Sequence, residues 1–448
     1  MPEKVGKCKY EGCERKALPN SKYCICHEKR DDKDIEAFNR EIEKIMQDKE
    51  AEFYDFRGFY FPESFDFEII YRHLKNNTFE KRIEFRYAMF QGEVYFRGVI
   101  FQRFADFRGV IFQKGVDFLG AVFQSWAIFL NATFQECAYF RGGTIFQERA
   151  YFESATFQNG ANFKDTTFQK QIDFENTTFQ GYINFENATF EKMADFRNCE
   201  IKETIDFHDA RFYDEFLLTD IKGTPKLDFR NTRFSVMTRI GGETNLKNAL
   251  FNLSNIELVD FTGAQFPKEI YEEKELKKQK KPWHGDWQEV STIYRKLKQA
   301  HQRHGDYAKA GDFFYREMEC KRKSYREEQE WHWNRVWLWF YKILCGYGER
   351  VKNIVGCSAF IVFLCSFFYY LSGISRVGEE VIKFSFESGF SLRDFGYSIY
   401  YSIVTFTSLG YGDIHPLGWS HVIASIEVIL GVFFMSLFVV VFVRKMSR

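Results

Sequence analysis

Phenylalanine returns every five or six residues through almost half of this 448-residue chain. The steps alternate, so the pattern repeats every eleven residues. That period fits neither a helix of 3.6 residues per turn nor a strand whose side chains alternate every two residues. It fits short straight segments that are joined by corners and that each point one ring inward. The clearest copies are Phe85, Phe90, Phe96, Phe101, Phe107, Phe112, Phe118, Phe123, Phe129 and Phe134, then Phe157, Phe163, Phe168, Phe174, Phe179, Phe185, Phe190, Phe196, Phe207 and Phe212.

A second position repeats in phase with the rings. A small or β-branched residue stands two places before each ring, as Val94 stands before Phe96 and Ala105 before Phe107. The rhythm slips once, where one extra residue enters near Gly142 and Gly143. Ile201 replaces one ring. Outlying copies are Phe56, Phe61, Phe67, Phe229, Phe234, Phe261 and Phe266.

This repeat resembles the pentapeptide-repeat family. The resemblance implies a right-handed, four-sided (quadrilateral) β-helix over residues 53–267, with about 22 residues per coil and a rise of about 4.8 Å, the spacing of hydrogen-bonded strands. We interpret the rings as its core and not as a binding site. Some members of the family imitate DNA with an acidic surface. The segment from Glu80 to Phe212 holds 18 acidic and 15 basic residues, a near balance that argues against this role and against a nucleic-acid partner.

Two apolar segments follow late in the chain. Ile354–Ile374 contains no charge, and Trp419–Val443 contains only Glu427. Each exceeds the roughly 20 helical residues that cross a bilayer, which predicts transmembrane helices over 353–375 and 418–444 in a cell-membrane protein. The alternative is a buried helix of a soluble protein. Two spans place both termini on one side. The start of the chain lacks the pattern of a signal peptide, which favours the cytoplasm for both termini.

Between these segments stands "TFTSLGYGD", Thr405 to Asp413, which resembles the selectivity filter of potassium-channel pore domains. In that family, four chains surround the ion with rings of backbone carbonyls. The resemblance implies a homotetramer, K⁺ as the transported ion, and a pore helix with its filter over 391–413. It assigns ion binding to Thr407, Ser408, Leu409, Gly410, Tyr411 and Gly412. It assigns filter support to Tyr400, Tyr401 and Asp413, and a gating hinge to Gly431. Glu427 is costly inside a span unless it is buried, so we expect it to support the filter by hydrogen bonding near the base of the pore helix.

Some features leave alternatives open. Ser408 and Leu409 stand where the family carries Thr and Val, so a cation channel of weak selectivity is one alternative. Gly431 is equally consistent with close helix packing. A second Gly-Tyr-Gly, Gly346–Gly348, lacks the hydroxyl run and precedes the first span. We interpret it as a loop that breaks a helix.

The start of the chain concentrates metal-binding side chains. Cys8, Cys13, Cys24 and His27 have the residue types and spacing of a structural zinc site, which predicts a zinc-binding module over residues 1–30. Cys26 could replace Cys24 in this set. The alternative is free thiols beside an unrelated histidine. Four protein ligands would leave no open position for catalysis.

Helical patterns connect these parts. Residues 31–52 are assigned as a helical linker and 284–330 as a hairpin-like neck, with Asp306 as the N-cap of its second helix. Residues 331–345 carry Trp331, Trp333, Trp337 and Trp339 with Arg335 and Lys342. This composition suits an interfacial helix on membrane lipid.

The sequence therefore predicts a multidomain membrane protein, with a pentapeptide-repeat β-helix, an α-helical neck and an all-α two-span pore. We expect a potassium channel that is gated or assembled through its cytoplasmic N-terminal domain. A cytoplasmic protein or a small ligand is the expected partner of the β-helix. A membrane-anchored scaffold is the competing hypothesis. No nucleophile–base pair, phosphate loop or open metal site suggests an enzyme.

Overall fold

A computed structural model describes residues 6–278, 286–327, 333–378, 381–383 and 389–446. The chain divides into two compact units. The first comprises Met1–Gly285 and Gln299–Gly305, and the second comprises Asp286–Lys298 and Asp306–Arg448. Of the predicted interfacial helix, Trp331 lies outside the described residues.

The first unit contains a β-helix with four parallel sheets, one on each side. Most strands have two residues, because each side of a coil is only five or six residues long including its corner. The first sheet contains Phe53–Asp55, Arg82–Glu84, Ala105–Asp106, Ala127–Ile128, Ala150–Tyr151, Ile172–Asp173, Ala194–Asp195, Phe216–Thr219 and Thr238–Gly241. The second contains Val94–Tyr95, Val116–Asp117, Ala138–Tyr139, Ala161–Asn162, Ile183–Asn184, Thr204–Asp206, Lys226–Asp228 and Asn248–Leu250. The third contains Thr78–Phe79, Ile100–Phe101, Val122–Phe123, Ile145–Phe146, Thr167–Phe168, Thr189–Phe190 and Arg211–Phe212. The fourth contains Tyr60–Phe61, Met89–Phe90, Ile111–Phe112, Thr133–Phe134, Thr156–Phe157, Thr178–Phe179 and Glu200–Ile201.

The strand register follows the eleven-residue period. Phe101 pairs with Phe123, two periods further along the chain. The slip near Gly142 and Gly143 lengthens one coil by a residue, so that Phe123 pairs with Phe146. The extra residue is taken up at a corner, and every ring after it keeps its inward position.

The core consists of stacked phenylalanine rings. Phe107 lies 4.7 Å from Phe129 at an interplanar angle of 2°. Rings of adjacent sides meet edge to face, as Phe107 and Phe118 do at 88°. The stacking distance matches the rise predicted from strand spacing. Each fully buried ring contributes about 1.5–3 kcal/mol, so the stacks account for the stability of the β-helix. The predicted β-helix is confirmed.

One corner in each eleven-residue repeat needs a left-handed residue. At Phe96–Val99, the N–H of Val99 donates to the carbonyl of Phe96, and Gly98 has φ 63°. A β-turn with positive φ at its third residue favours Gly, Asn or Asp. The sequence places such residues at Gly98, Gly109, Gly120, Asn131, Gly142, Asp165, Asn176, Asn187, Asn198, Asp209, Asp220 and Asn231, whereas Tyr87 and Ser154 occupy the same corner as exceptions. This second periodicity was not used in predicting the fold.

Nine α-helices complete the described chain. They are α1 Ile35–Gln47, α2 Glu68–Tyr71, α3 Tyr271–Lys277, α4 Trp287–Arg303, α5 Tyr307–Glu327, α6 Trp333–Cys345, α7 Val351–Ser372, α8 Leu392–Phe406 and α9 Ser420–Met446. Short 3₁₀ turns cover Ile256–Leu258 and Gly346–Gly348, and a small antiparallel sheet joins Ile374–Arg376 to Val381–Ile382 and Ile414–Pro416.

The helices α7 and α9 have the length and composition of membrane spans. Their most apolar windows have mean hydropathies of 2.1 and 2.8, and only 22% of each window is buried. Phe360 and Ile429, for example, are more than half exposed. This exposure is the opposite of what the core helix of a soluble protein would show.

Candidate functional site

The predicted pore segment consists of α8 and the loop that follows it. The Ser391 hydroxyl caps the helix by accepting from the Asp394 N–H at 3.3 Å. At the other end, the Thr407 hydroxyl donates to the Ile403 carbonyl at 2.7 Å. The helix therefore ends directly at the loop. The partial negative charge of a helix C-terminus favours cations there.

The backbone of this loop alternates in handedness. Ser408, Gly410 and Gly412 have φ values of 59°, 58° and 74°, whereas the residues between them do not have positive φ. Such alternation turns successive peptide groups toward one side. Glycine accepts positive φ at little cost, and a serine there is uncommon. The sequence predicts Ser408 as an ion-binding residue in place of Thr, but its left-handed backbone conformation is visible only in the folded chain.

The adjacent tyrosines Tyr400 and Tyr401 of α8 contact different residues. The buried Tyr401 ring packs edge-on against Tyr369 of α7, with centroids 4.8 Å apart. The Tyr400 side chain lies beside the Asp413 carboxylate at the end of the loop. One tyrosine therefore anchors α8 in the helical core, and its neighbour faces the loop.

Glu427 of α9 connects the helices α7, α8 and α9. Its carboxylate is fully buried and accepts from the Tyr369 hydroxyl at 2.6 Å and from the Ser402 hydroxyl. Acidic residues within a span are costly unless they are paired in this way. Glu427 thus fastens α9 to α7 and α8.

One helical turn further along α9, Gly431 lies against the end of α8. A Cβ at Gly431 would stand 1.9 Å from the Phe406 carbonyl oxygen, so only glycine fits. Of the two interpretations of this residue, the contact supports close packing.

A cavity of about 540 Å³ opens beside the loop. Its lining includes Ser408, Gly410 and Asp413 from the loop, and Ala424 and Val428 from α9. Leu409 and Tyr411 on the loop are 58% and 66% exposed.

Two families match the chain. The family described as "Pentapeptide repeats (9 copies)" matches residues 85–133, 129–178, 142–188 and 174–220. The family described as "Ion channel" matches residues 354–448, which hold most of α7 together with α8, the loop and α9. The chain therefore contains pentapeptide repeats and, toward its C-terminus, an ion channel domain. Comparison with curated proteins gave no match, and comparison with solved structures gave none. The ion channel domain and its two apolar helices indicate a membrane protein with two spans.

Far from the ion channel domain in sequence, a second cluster brings metal-binding atoms together. One ligand atom from each of Cys8, Cys13, Cys24 and His27 lies within 4.8 Å of the others. The Cys13 and Cys24 sulfurs are 3.9 Å apart, and His27 Nδ1 is 3.1 Å from the Cys24 sulfur. A tetrahedral zinc ion with Zn–S bonds of about 2.3 Å holds sulfurs about 3.8 Å apart, so the cluster has the dimensions of a zinc site.

The surroundings distinguish Cys24 from Cys26. Hydrogen bonds from Cys26 and then from His27 outweigh burial and lower the pKa of the Cys24 thiol to about 3. The same hydrogen bond with Cys24, together with burial, raises the pKa of Cys26. The geometry itself favours Cys24 as the ligand, because its sulfur lies within 4.8 Å of the ligand atoms of Cys8, Cys13 and His27.

The neck contains a polar joint that the sequence analysis did not identify. Glu319 of α5 accepts from Lys342 of α6 at 2.8 Å and from the buried Tyr347 hydroxyl at 2.6 Å. Arg322 also contacts this carboxylate. Tyr347 belongs to the second Gly-Tyr-Gly, where all three residues have positive φ between α6 and α7. Burial would raise the pKa of Glu319, but these hydrogen bonds lower it to about 2.

Proposed function

We propose that the chain is a potassium-selective channel that works as a homotetramer. The observation that carries this proposal is the loop at Thr407–Gly412, whose alternating backbone follows a helix C-terminus between two spans. Four such loops around one axis would supply the rings of carbonyls that replace the water shell of K⁺. The proposed ion-binding residues are Thr407, Ser408, Leu409, Gly410, Tyr411 and Gly412.

Tetramer formation is supported by the large side chains that a single copy leaves exposed to solvent on this loop. Leu409 and Tyr411 expose large apolar side chains on the filter loop, beside the cavity on α9. Neighbouring copies would cover these surfaces and complete the ring. We assign filter support to Tyr400, Tyr401, Asp413 and Glu427 for the contacts described above.

The test is potassium flux in proteoliposomes made with the purified full chain. We expect K⁺ to move down its gradient into vesicles, and the detergent-solubilised protein to have the mass of four chains. A protein that stays monomeric and carries no ion would favour the scaffold alternative.

The N-terminal domain, we propose, lies in the cytoplasm together with the C-terminus and gates or assembles the pore. The helix α6 supports a position on membrane lipid, because Trp333 and Trp337 are 77% and 72% exposed on one helical face. A cytoplasmic protein or a small ligand on the β-helix remains the proposed source of regulation.

The joint between α5 and the start of α7 suits the transmission of such a signal. Tyr347→Phe removes one hydrogen bond to a buried carboxylate, which is worth about 1.5–3 kcal/mol. We expect hydrogen exchange at the Glu349 and Arg350 amides to accelerate at least about tenfold, while the single-channel current amplitude stays unchanged. Tyr307→Phe, at an exposed tyrosine on the same helix as Glu319, is the control.

The same joint gives a pH prediction. A carboxylate whose pKa is lowered by folding contributes stability above its unfolded pKa of about 4.3, and this contribution is lost as the pH falls through about 2. Exchange at this joint should therefore show no carboxylate titration from about pH 5 to about pH 8. A tenfold change in protection across that range would contradict this role for Glu319.

At the N-terminus we propose a structural Zn²⁺ held by Cys8, Cys13, Cys24 and His27. Three sulfurs and one imidazole nitrogen form a donor set that zinc prefers. The His27 Nε2 atom donates to the Arg57 carbonyl at 2.9 Å, which leaves Nδ1 as the ligand atom and fixes the ring.

A further inference from the structure

The proposed zinc site lies against the open end of the β-helix. The first coil holds the strands Phe53–Asp55 and Tyr60–Phe61, and no coil described in this structure precedes it. The end of a β-helix presents backbone groups without strand partners and the flat faces of the last core rings. Some other part of the chain must cover both.

Residues 6–30, here called the metal module, satisfy the backbone groups of that coil. His27 Nε2 donates to the Arg57 carbonyl, and the Tyr60 N–H donates to the Cys26 carbonyl at 2.8 Å. Just beyond the module, Lys33 Nζ donates to the Tyr60 carbonyl at 2.6 Å. These three contacts take the place of a preceding strand.

The module also covers the rings. Tyr10 stacks on His27 with centroids 4.1 Å apart and planes 7° from parallel. His27 in turn meets Phe59 edge-on at 5.2 Å. Tyr10 lies so close to Gly58 that a Cβ there would stand 2.1 Å from its ring. On the adjoining side, Phe38 of α1 packs against Phe59.

The module has little to hold it together by itself. Its regular backbone pairing consists of a single bridge between Lys7 and Lys16, and its buried side chains are mainly the cysteines and His27. A short segment without an apolar core folds when a metal binds its ligands. His27 bonds the cluster through one ring nitrogen and the first coil through the other.

We propose that the metal module is the N-terminal cap of the β-helix, and that a zinc ion bound to it keeps the cap closed. This inference rests on the proposed zinc site. The metal would fix the turn at Cys24–His27, and that turn presents the Cys26 carbonyl and the His27 ring to the first coil. Loss of the metal would expose the first coil and leave the middle coils intact.

The experiment is hydrogen exchange with mass spectrometry on the full chain in detergent, before and after removal of metal by a chelator. Metal content is measured on the same samples. We expect about one zinc per chain, as a four-ligand site requires. After chelation we expect exchange at residues 53–61 to accelerate at least about tenfold, with no change at residues 160–200.

Two variants separate the metal from the cap. Cys13→Ser should lose zinc and show the fast exchange without chelator, whereas Cys137→Ser, outside the module, should behave as the parent chain. His27→Cys retains four ligands but lacks the Nε2 contact with Arg57. It should therefore keep zinc and still show faster exchange at residues 53–61.

The outcomes are distinguishable. If the chelator removes zinc and hydrogen exchange at residues 53–61 does not change, the proposed cap is wrong but the proposed zinc site stands. A chain that binds no zinc, with a first coil as protected as the middle coils, would overturn both.

Discussion

Gly412→Ala is expected to abolish potassium current and to leave a protein that still assembles. Gly412 has φ 74°, and a side chain opposes this left-handed conformation by roughly 1–2 kcal/mol in each chain. Four copies in one ring would add this strain four times. Among the described residues of one copy, no atom beyond the adjacent residues lies within 4 Å of the Cβ position, so within a single copy the effect arises from backbone conformation rather than from a clash.

The measurement is current in planar bilayers, with the assembly state followed by gel filtration. Gly356→Ala is the matched control. Gly356 lies inside α7, and a Cβ added there would likewise have no described atom outside its own helix backbone within 4 Å. Normal current from the Gly412→Ala protein would show that the loop does not conduct through its backbone carbonyls.

Gly431→Ala is expected to weaken the pore segment severely. The added Cβ would overlap the Phe406 carbonyl oxygen, a backbone atom that cannot turn away. Either α9 moves away from α8, or the end of α8 moves and displaces the filter. Forced packing of this kind costs about 1–3 kcal/mol per site. We expect the tetramer to dissociate at a markedly lower temperature than the Gly356→Ala control.

The same substitution tests the hinge alternative. A glycine that serves only to bend α9 would give an alanine variant with normal thermal stability and an altered open probability. That result would contradict close packing as the reason for glycine at this position.

The β-helix could be predicted because its physical cause is periodic. One buried ring per side forces the spacing of five and six, and the ring positions follow from counting. The left-handed corners at Gly98, Asn131 and Asp165 are just as periodic. Because glycine, asparagine and aspartate alternate irregularly at these corners, the pattern becomes visible only when φ is known.

Contacts between distant residues could not be predicted in the same way. The sequence around Tyr347 does not show that its hydroxyl donates a hydrogen bond to Glu319, which lies 28 residues earlier. The choice between Cys24 and Cys26 likewise depends on which sulfur faces Cys8 and Cys13. The spacing of the cysteines and His27 predicts which residue types bind the metal. Only the folded chain shows which of two cysteines two residues apart, Cys24 or Cys26, lies with the other ligands.

The loop at Thr405–Asp413 lies between these cases. The motif and its place between two apolar helices predicted the segment, which lies within the residues that the ion channel family matches. The positive φ at Ser408 and the contacts of Glu427 and Gly431 with α8 emerged only from the structure.

Selectivity for potassium would be read from the reversal potential of the current. Purified full chain would be placed in a planar bilayer with KCl on one side and an equal concentration of NaCl on the other. We expect a large reversal potential in the direction set by the K⁺ gradient, and we expect Gly412→Ala to abolish it together with the current. A reversal potential near zero would instead show a pore that admits Na⁺ and K⁺ alike, and would contradict the assignment of Thr407–Gly412 as a potassium filter.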